Sequence, residues 1–226
     1  GIVLINAHDE DPGLSALAEA GFPTVSMDYL DDVPVDQVWV DNAAAAREVT
    51  EYLIGLGHRR IGMITHAPLL FLSSKKRLSG YRIALENAGI RYDPELVRNA
   101  DFSEESGFAQ MQNLLGSGAR PTAVFAGNDV VAYGALQAAQ QADLKVPDDI
   151  SLVGFDDDYM SRFLNPPLTT MVLPAAGHGA AAVEALMSRL EKEPEDAPQE
   201  PVRRLLRAHI TVRESCAAPP VLQNAR

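Results

Sequence analysis

Two hydrophobic periods alternate along this chain. Short runs rich in aliphatic and β-branched residues predict strands at 1–6, 23–27, 38–40, 60–65, 96–100, 122–126, 151–155, 170–173 and 207–213. Between them, apolar residues recur near every 3.6 positions, which predicts helices over 14–20, 43–56, 78–88, 104–115, 130–142 and 179–190. The runs AVFA (123–126) and SLVGF (151–155) are apolar on both faces. Strands of that kind are parallel and sandwiched between helices. Asp41 and Asp129 stand where N-caps are needed, and Gly57 and Gly89 where helices stop. The βα alternation predicts a doubly wound α/β architecture.

Composition narrows the class. The chain has 226 residues, 46% hydrophobic and 22% charged, enough for one large domain or two small lobes with their own cores. A formal net charge of −12 repels phosphate backbones, so this stretch is not expected to bind DNA by itself. With Cys216 as its sole cysteine it forms no internal disulfide, and a reducing compartment is the natural reading. The apolar runs are too short for a membrane span, and no signal peptide is visible. The acidic, proline-rich stretch 191–201 reads as a solvated connector, and residues 216–226 as a poorly ordered tail.

Position carries the functional signal. In open α/β sheets, ligands sit beyond the carboxyl ends of the strands. Here Asp28 follows PTVSM, Ser73 and Arg77 close the loop after GMIT, and Phe102 follows LVRNA. Asn128 and Asp129 follow TAVFAG, and Asp156 follows SLVGF. Carboxylates, an amide, a guanidinium and an aromatic face suit a hydroxyl-rich ligand such as a carbohydrate. Each residue also has a plainer reading. Asp28 can simply end a strand, Arg77 can share the exposure of Lys75 and Lys76, and Phe102 can be core. Asn128–Asp129 can be a helix cap, a role that suits Asp129 best. The triplet Asp156–Asp158 can be a surface turn; three adjacent carboxylates cannot all face one ion, so no metal is expected.

Enzyme motifs are missing from the sequence: it holds no GxxxxGK[ST], no GxGxxG and no GxSxG. The histidines His8, His58, His66, His178 and His209 have no ligand spacing, and His58 in GLGHRRIG reads as structural. A binding protein without cofactor or metal is expected.

The phrases VDNAAAAREVTEYLIGLGHRRIGMI, KRLSGYRIALENAGI, DFSEESGFAQMQNLL, RPTAVFAGNDVVAYGAL, VPDDISLVGFDD and NPPLTTMVLP run through nearly the whole chain. In this order they resemble the effector-binding domains of the LacI/GalR family of transcription regulators. The resemblance implies a type I periplasmic-binding-protein-like fold: α/β, two Rossmann-like lobes with parallel sheets, the first lobe incomplete. It implies residues 1–40 plus about 172–200 in an N-terminal lobe and 41–171 plus about 201–215 in a C-terminal lobe. A carbohydrate-like effector would lie in the interlobe cleft and control operator binding through a helix-turn-helix head not in this chain. A homodimer and a cytoplasmic location are implied too; the alternative is a periplasmic sugar-binding protein of a transporter. Carried over by position, Arg77 reaches the effector, Asp156 binds hydroxyls, Asn128 supplies an amide and Phe102 packs on the ligand. Ser73 and Asp28 add contacts. Two departures mark the pocket wall: Leu173 stands where relatives often carry glutamine, and Phe71 lies in an unusually apolar loop.

Overall fold

The computed structural model describes residues 1–8, 12–191 and 200–220. They divide into two compact units: one of residues 1–41, 70–73 and 173–208, the other of 42–69, 74–172 and 209 onward. The chain therefore does not complete one unit before starting the other.

In the first unit, strands β1 (Ile2–Leu4), β2 (Thr24–Ser26) and β3 (Asp36–Val40) run parallel, with helix α1 (Pro12–Glu19) between β1 and β2. Adjacent residues on β1 point to opposite faces. Val3 joins Val25, Val38, Ala181, Ala182 and Ala185, whereas Leu4 joins Leu14, Leu30, Val35 and Leu72. The helix carrying Ala181–Ala185 and α1 thus cover different faces of one sheet.

The second unit begins with α2 (Asn42–Gly55), whose Ala45, Ala46, Val49, Thr50 and Leu53 form its buried stripe. Next come β4 (Ile61–Thr65), α3 (Leu72–Asn87), β5 (Val97–Asn99), α4 (Glu104–Gly116), β6 (Ala123–Ala126), α5 (Asp129–Gln141), β7 (Ser151–Asp156) and β8 (Thr169–Val172). Helix α6 (Ala175–Leu190) and β9 (Arg203–Leu206) return to the first unit, and β10 (His209–Thr211) ends the second sheet. That sheet has the spatial order β10-β8-β7-β6-β4-β5, parallel except for β10. Both faces are dry, as the apolar runs predict. Ile64, Val124, Ala126 and Leu152 pack into the core beneath α4 and α5, while the alternate residues Ile61, Met63, Phe125 and Val153 are equally buried. Helices α4 and α5 lie so close that a Cβ on Gly134 would collide with the Glu104 carbonyl oxygen and come within 2.6 Å of the Phe108 amide. Only glycine fits there.

Several expectations need correction. Residues 203–206 do not join the second unit; β9 extends the first sheet, parallel to β3. Its start is fixed by Asp36, 1% exposed, which forms a two-toothed ion pair with Arg189 (both contacts 2.7 Å) and accepts the Val202 amide at 2.7 Å. Of the strand expected over 207–213 only β10, His209–Thr211, forms, and β9 just ahead of it is a separate strand of the other sheet. Helix α3 starts at Leu72, six residues ahead of its predicted start, so Ser73 and Arg77 stand on its first turns and not in a loop. Asn128, not Asp129, caps α5: its side chain accepts the Val131 amide at 2.9 Å. Nor is the segment after Ser215 a loose tail throughout. The Ala217 amide donates to Ser151 Oγ (3.0 Å), and its carbonyl accepts from His58 Nε2 (2.9 Å). The rest of that expectation, from 221 on, and most of the 191–201 connector lie outside the described residues.

His58 is the structural residue that its turn predicts. It is fully buried, with Nδ1 2.9 Å from Thr122 Oγ1 and Nε2 also 3.1 Å from Ser151 Oγ. Burial holds its pKa below the usual 6.5, so folding keeps it neutral. Below pH 6.5 the unfolded chain gains a proton that the folded chain refuses; stability is full above that pH and falls as pH drops. We expect His58→Gln to flatten the decline of urea-unfolding stability between roughly pH 7 and 5. An unchanged slope would remove His58 from that role.

Candidate functional site

The chain runs β4, β5, β6, but in space β4 sits between β5 and β6. Leaving β4 toward one side and then the other opens a crevice at the carboxyl ends of β4 and β6, the usual ligand position in such sheets. The predicted residues of the second unit gather there.

Arg77 lies at the centre of this group. It is 5% exposed, and each of its three guanidinium nitrogens has a partner. Nε donates to Asn42 Oδ1 at 2.8 Å, Nη1 donates to the Gly127 carbonyl, and Nη2 lies 3.5 Å from Asp156 Oδ1. The Phe155 ring covers one face, its centroid 3.7 Å from Cζ. Gly127 is there for its close approach: a Cβ would come within 2.5 Å of the His66 amide.

Asp156 ends β7 at φ 111°, a conformation that costs a non-glycine residue about 1–3 kcal/mol. Its side chain is 39% exposed, while that of Arg77 is 6% exposed. The carboxylate is therefore the member of the pair that faces outward. Desolvation by the surrounding protein pushes its pKa up to about 6, partly opposed by Arg77 and reinforced by Asp129 and Asp158.

Phe102 follows β5 at φ 74°, another strained position for a bulky residue. Its amide donates to the His66 carbonyl at 2.7 Å, and its ring meets the His66 ring edge-on at 5.5 Å. With 37% exposure, Phe102 is not core; it presents apolar surface. Burial, and then the nearby Arg77 charge, lower the His66 pKa to about 2. Asn128 is 8% exposed, and its Oδ1 is occupied by the α5 cap.

Asp129, expected to be the cap, is instead a hub. Its carboxylate accepts from Thr170 Oγ1 (2.6 Å), Ser161 Oγ (2.5 Å) and the Asp158 amide (2.8 Å). It rests against Gly154, where a Cβ would collide with Oδ1. Asp157 is gripped by Arg213 at 2.6 Å, so the turn bearing Asp156 is fastened from two sides.

The first unit assembles a smaller group. Asp28 Oδ2 accepts the Ala7 amide at 2.8 Å, tying the segment after β2 to the one after β1. The Leu72 amide donates to the Ala7 carbonyl at 3.1 Å, which brings Phe71 beside His8 with ring centroids 4.6 Å apart. Asp28 and Ser73 are 7% and 5% exposed. Leu173, half-buried, follows β8 by one residue. Asn42, His66, Phe155 and the Asp129 hub are contributors that sequence reasoning missed; only tertiary packing brings them to Arg77 and Asp156.

Among the described residues, no group of three or more His, Cys, Asp or Glu is arranged to hold a metal ion. No helix of these residues is long and apolar enough to cross a membrane.

Residues 50–216 match the family of periplasmic binding protein-like domains. The similarity to particular proteins is closer still. The HTH-type transcriptional regulator CelR of Thermobifida fusca is 37% identical over 218 residues, 95% of this chain and 63% of that protein. A solved transcriptional regulator CelR–cellobiose complex superposes with a TM-score of 0.86 at 36% identity, covering 95% of this chain and 65% of the other. A LacI-family regulatory protein from Chloroflexus aggregans gives a TM-score of 0.82 at 32% identity, covering 95% and 76%. The chain belongs to the LacI family of transcription regulators and comprises an effector-binding domain. It spans between 52% and 63% of the length of the first curated relatives that it matches. These relatives are regulators and not enzymes.

The raised Asp156 pKa gives a test with a definite sign. Folding lifts this carboxyl from 3.8 to about 6, so its stabilising contribution is complete below 3.8 and disappears as pH rises through 6. Asp156→Asn should gain thermal stability relative to the parent as pH is raised from 4 to 7.5, by on the order of a few °C, given solvent screening. A melting-temperature difference that stays flat with pH would refute the assignment.

Proposed function

We propose that this chain is the sensing module of a transcriptional repressor, holding a small carbohydrate and relaying its presence to operator DNA. The observation that carries this reading is the outward-facing Asp156 carboxylate, braced by buried Arg77 at the sheet's switch point. A carboxylate accepts hydrogen bonds from vicinal hydroxyls, and the exposed Phe102 ring beside the same strand ends suits the apolar face of a sugar. Asn128 contributes through its amide nitrogen, since its oxygen is used in the cap. Asp28, Ser73 and the Phe71 and Leu173 walls are proposed as further contacts. The cellobiose bound by the solved relative supports a saccharide as ligand.

Effector binding can bias a regulator only to the extent that it prefers one conformational state over another. In this reading, DNA contact belongs to a helix-turn-helix segment such as the CelR relative's name denotes, and the protein works in the cytoplasm, where that DNA is. It pairs with a second copy. In support, the turn at Tyr159–Arg162 and the next residue leave Tyr159, Met160 and Phe163 exposed at 67%, 50% and 60%. Apolar surface gathered in this way marks an interaction site.

Calorimetry on a panel of neutral saccharides that includes cellobiose tests the sensing role. We expect saturable binding without turnover, weakened by about 1–3 kcal/mol in Asp156→Ala through lost hydrogen bonds. Equal affinity in the variant would take Asp156 out of the site, and chemical conversion of a bound sugar would overturn the sensing role altogether. For the assembly, sedimentation should show a dimer that Phe163→Asp converts to monomer; a parent chain that is monomeric at micromolar concentration contradicts the pairing.

A further inference from the structure

We infer that the effector is an uncharged polyol, and that the site discriminates against phosphorylated or carboxylated sugars. This deepens the sensing role proposed above and rests on it. The inference comes from how Arg77 is used. An arginine that recognises phosphate or carboxylate presents two parallel N–H donors to the ligand. Here the Asn42 amide oxygen, the Gly127 carbonyl and the Asp156 carboxylate engage all three guanidinium nitrogens, and Phe155 occupies one face. At 5% exposure, the cation is a buried brace and not an open fork.

The group that reaches the surface instead is acidic. Asp156 is the exposed partner of the pair, and Asp129, buried behind it, and Asp158 both raise its pKa through their charge. Facing these carboxylates from the neighbouring elements are Arg213 and Arg162, at 2.6 and 3.8 Å, but both address Asp157. Tyr133 Oη donates to Asp158 at 2.7 Å and adds no positive charge. An anion arriving at this strand end meets like charge with no free cation fork among these residues, whereas a hydroxyl meets an acceptor. Like-charge apposition in a partly desolvated site is strongly unfavourable. The raised Asp156 pKa also means that the penalty should relax once this carboxyl is protonated.

Matched probes isolate the charge: glucose with glucose 6-phosphate, ribose with ribose 5-phosphate, and cellobiose with cellobionate. Each pair is titrated calorimetrically against the chain at pH 7.5 and pH 5, in the parent and in Asp156→Asn. In any pair that binds, we expect the neutral member to be tighter by at least roughly tenfold at pH 7.5. The ratio should narrow in the variant, and at pH 5 it should narrow for the cellobionate pair, whose carboxylate stays ionised at both pH values. An anionic member that binds as tightly as its neutral partner in the parent chain at pH 7.5 overturns the inference and leaves the sensing role standing. If no neutral or anionic saccharide binds, the sensing role fails first and the inference with it. The parent comparison does not depend on the variant folding.

Discussion

A guanidinium cannot be taken out of water unless every direction around it is answered, and the second unit is organised around that requirement. Burying a charge without partners costs several kcal/mol, whereas a fully coordinated one can be held at little net expense. Arg77 draws its partners from separate parts of the chain: Asn42 opening α2, Gly127 after β6, Phe155 and Asp156 on β7. Each must arrive at one point for Arg77 to be stable there. The cation thus registers the strand ends against one another, and the outward carboxylate of Asp156 is positioned as a consequence.

That carboxylate is also held from behind. Asp129 fastens the 156–161 turn through the Asp158 amide and the Ser161 hydroxyl, and fastens β8 through Thr170. Because the turn is pinned, Asp156 can be maintained at φ 111°, a conformation it would not choose alone. Phe102 is in a comparable state at φ 74°, its amide bound to the His66 carbonyl. The two side chains proposed to meet a ligand are thus both carried on strained backbone. The braces beneath them, Arg77 and Asp129, are buried, and each makes three hydrogen bonds to other parts of the chain. Such a division favours a site that is formed before the ligand arrives, which lowers the ordering cost of binding.

Much of this was legible in the sequence, for a physical reason. Strands buried on both faces must be apolar throughout, so AVFA and SLVGF announce themselves, and the residues just past their carboxyl ends must face the crevice. Asp156, Asn128 and Phe102 lie at strand ends for that reason, whereas Arg77 stands on α3 and reaches the same region from the helix. Pattern alone could not supply the role of each. Asn128 and Asp129 are adjacent polar residues before a helix, and both satisfy the preference for an N-cap; only the packing of Asp129 against Gly154 decides between them. Likewise, nothing local says that 203–206 pairs with β3, because that choice is made by Asp36 reaching Arg189 and Val202 from more than 150 positions away. Period and punctuation reveal elements; long-range ion pairs decide which sheet they join.

The sign of the charge links the site to the whole molecule. A surface with a formal net charge of −12 discourages contact with polyanions, and the exposed member of the Arg77–Asp156 pair carries that same sign into the crevice. In the proposed regulator, attraction to operator phosphates would be supplied by a basic element other than these acidic residues, so that the sensing surface does not itself compete for DNA. A neutral ligand is the natural counterpart of such a module. It binds through directed hydrogen bonds and apolar cover, which are little affected by salt, whereas protein–DNA contacts weaken steeply as salt rises. In the proposed regulator, detection and DNA contact thereby rest on different physics, and a change in ionic strength that loosens the operator complex need not alter the reading of the effector.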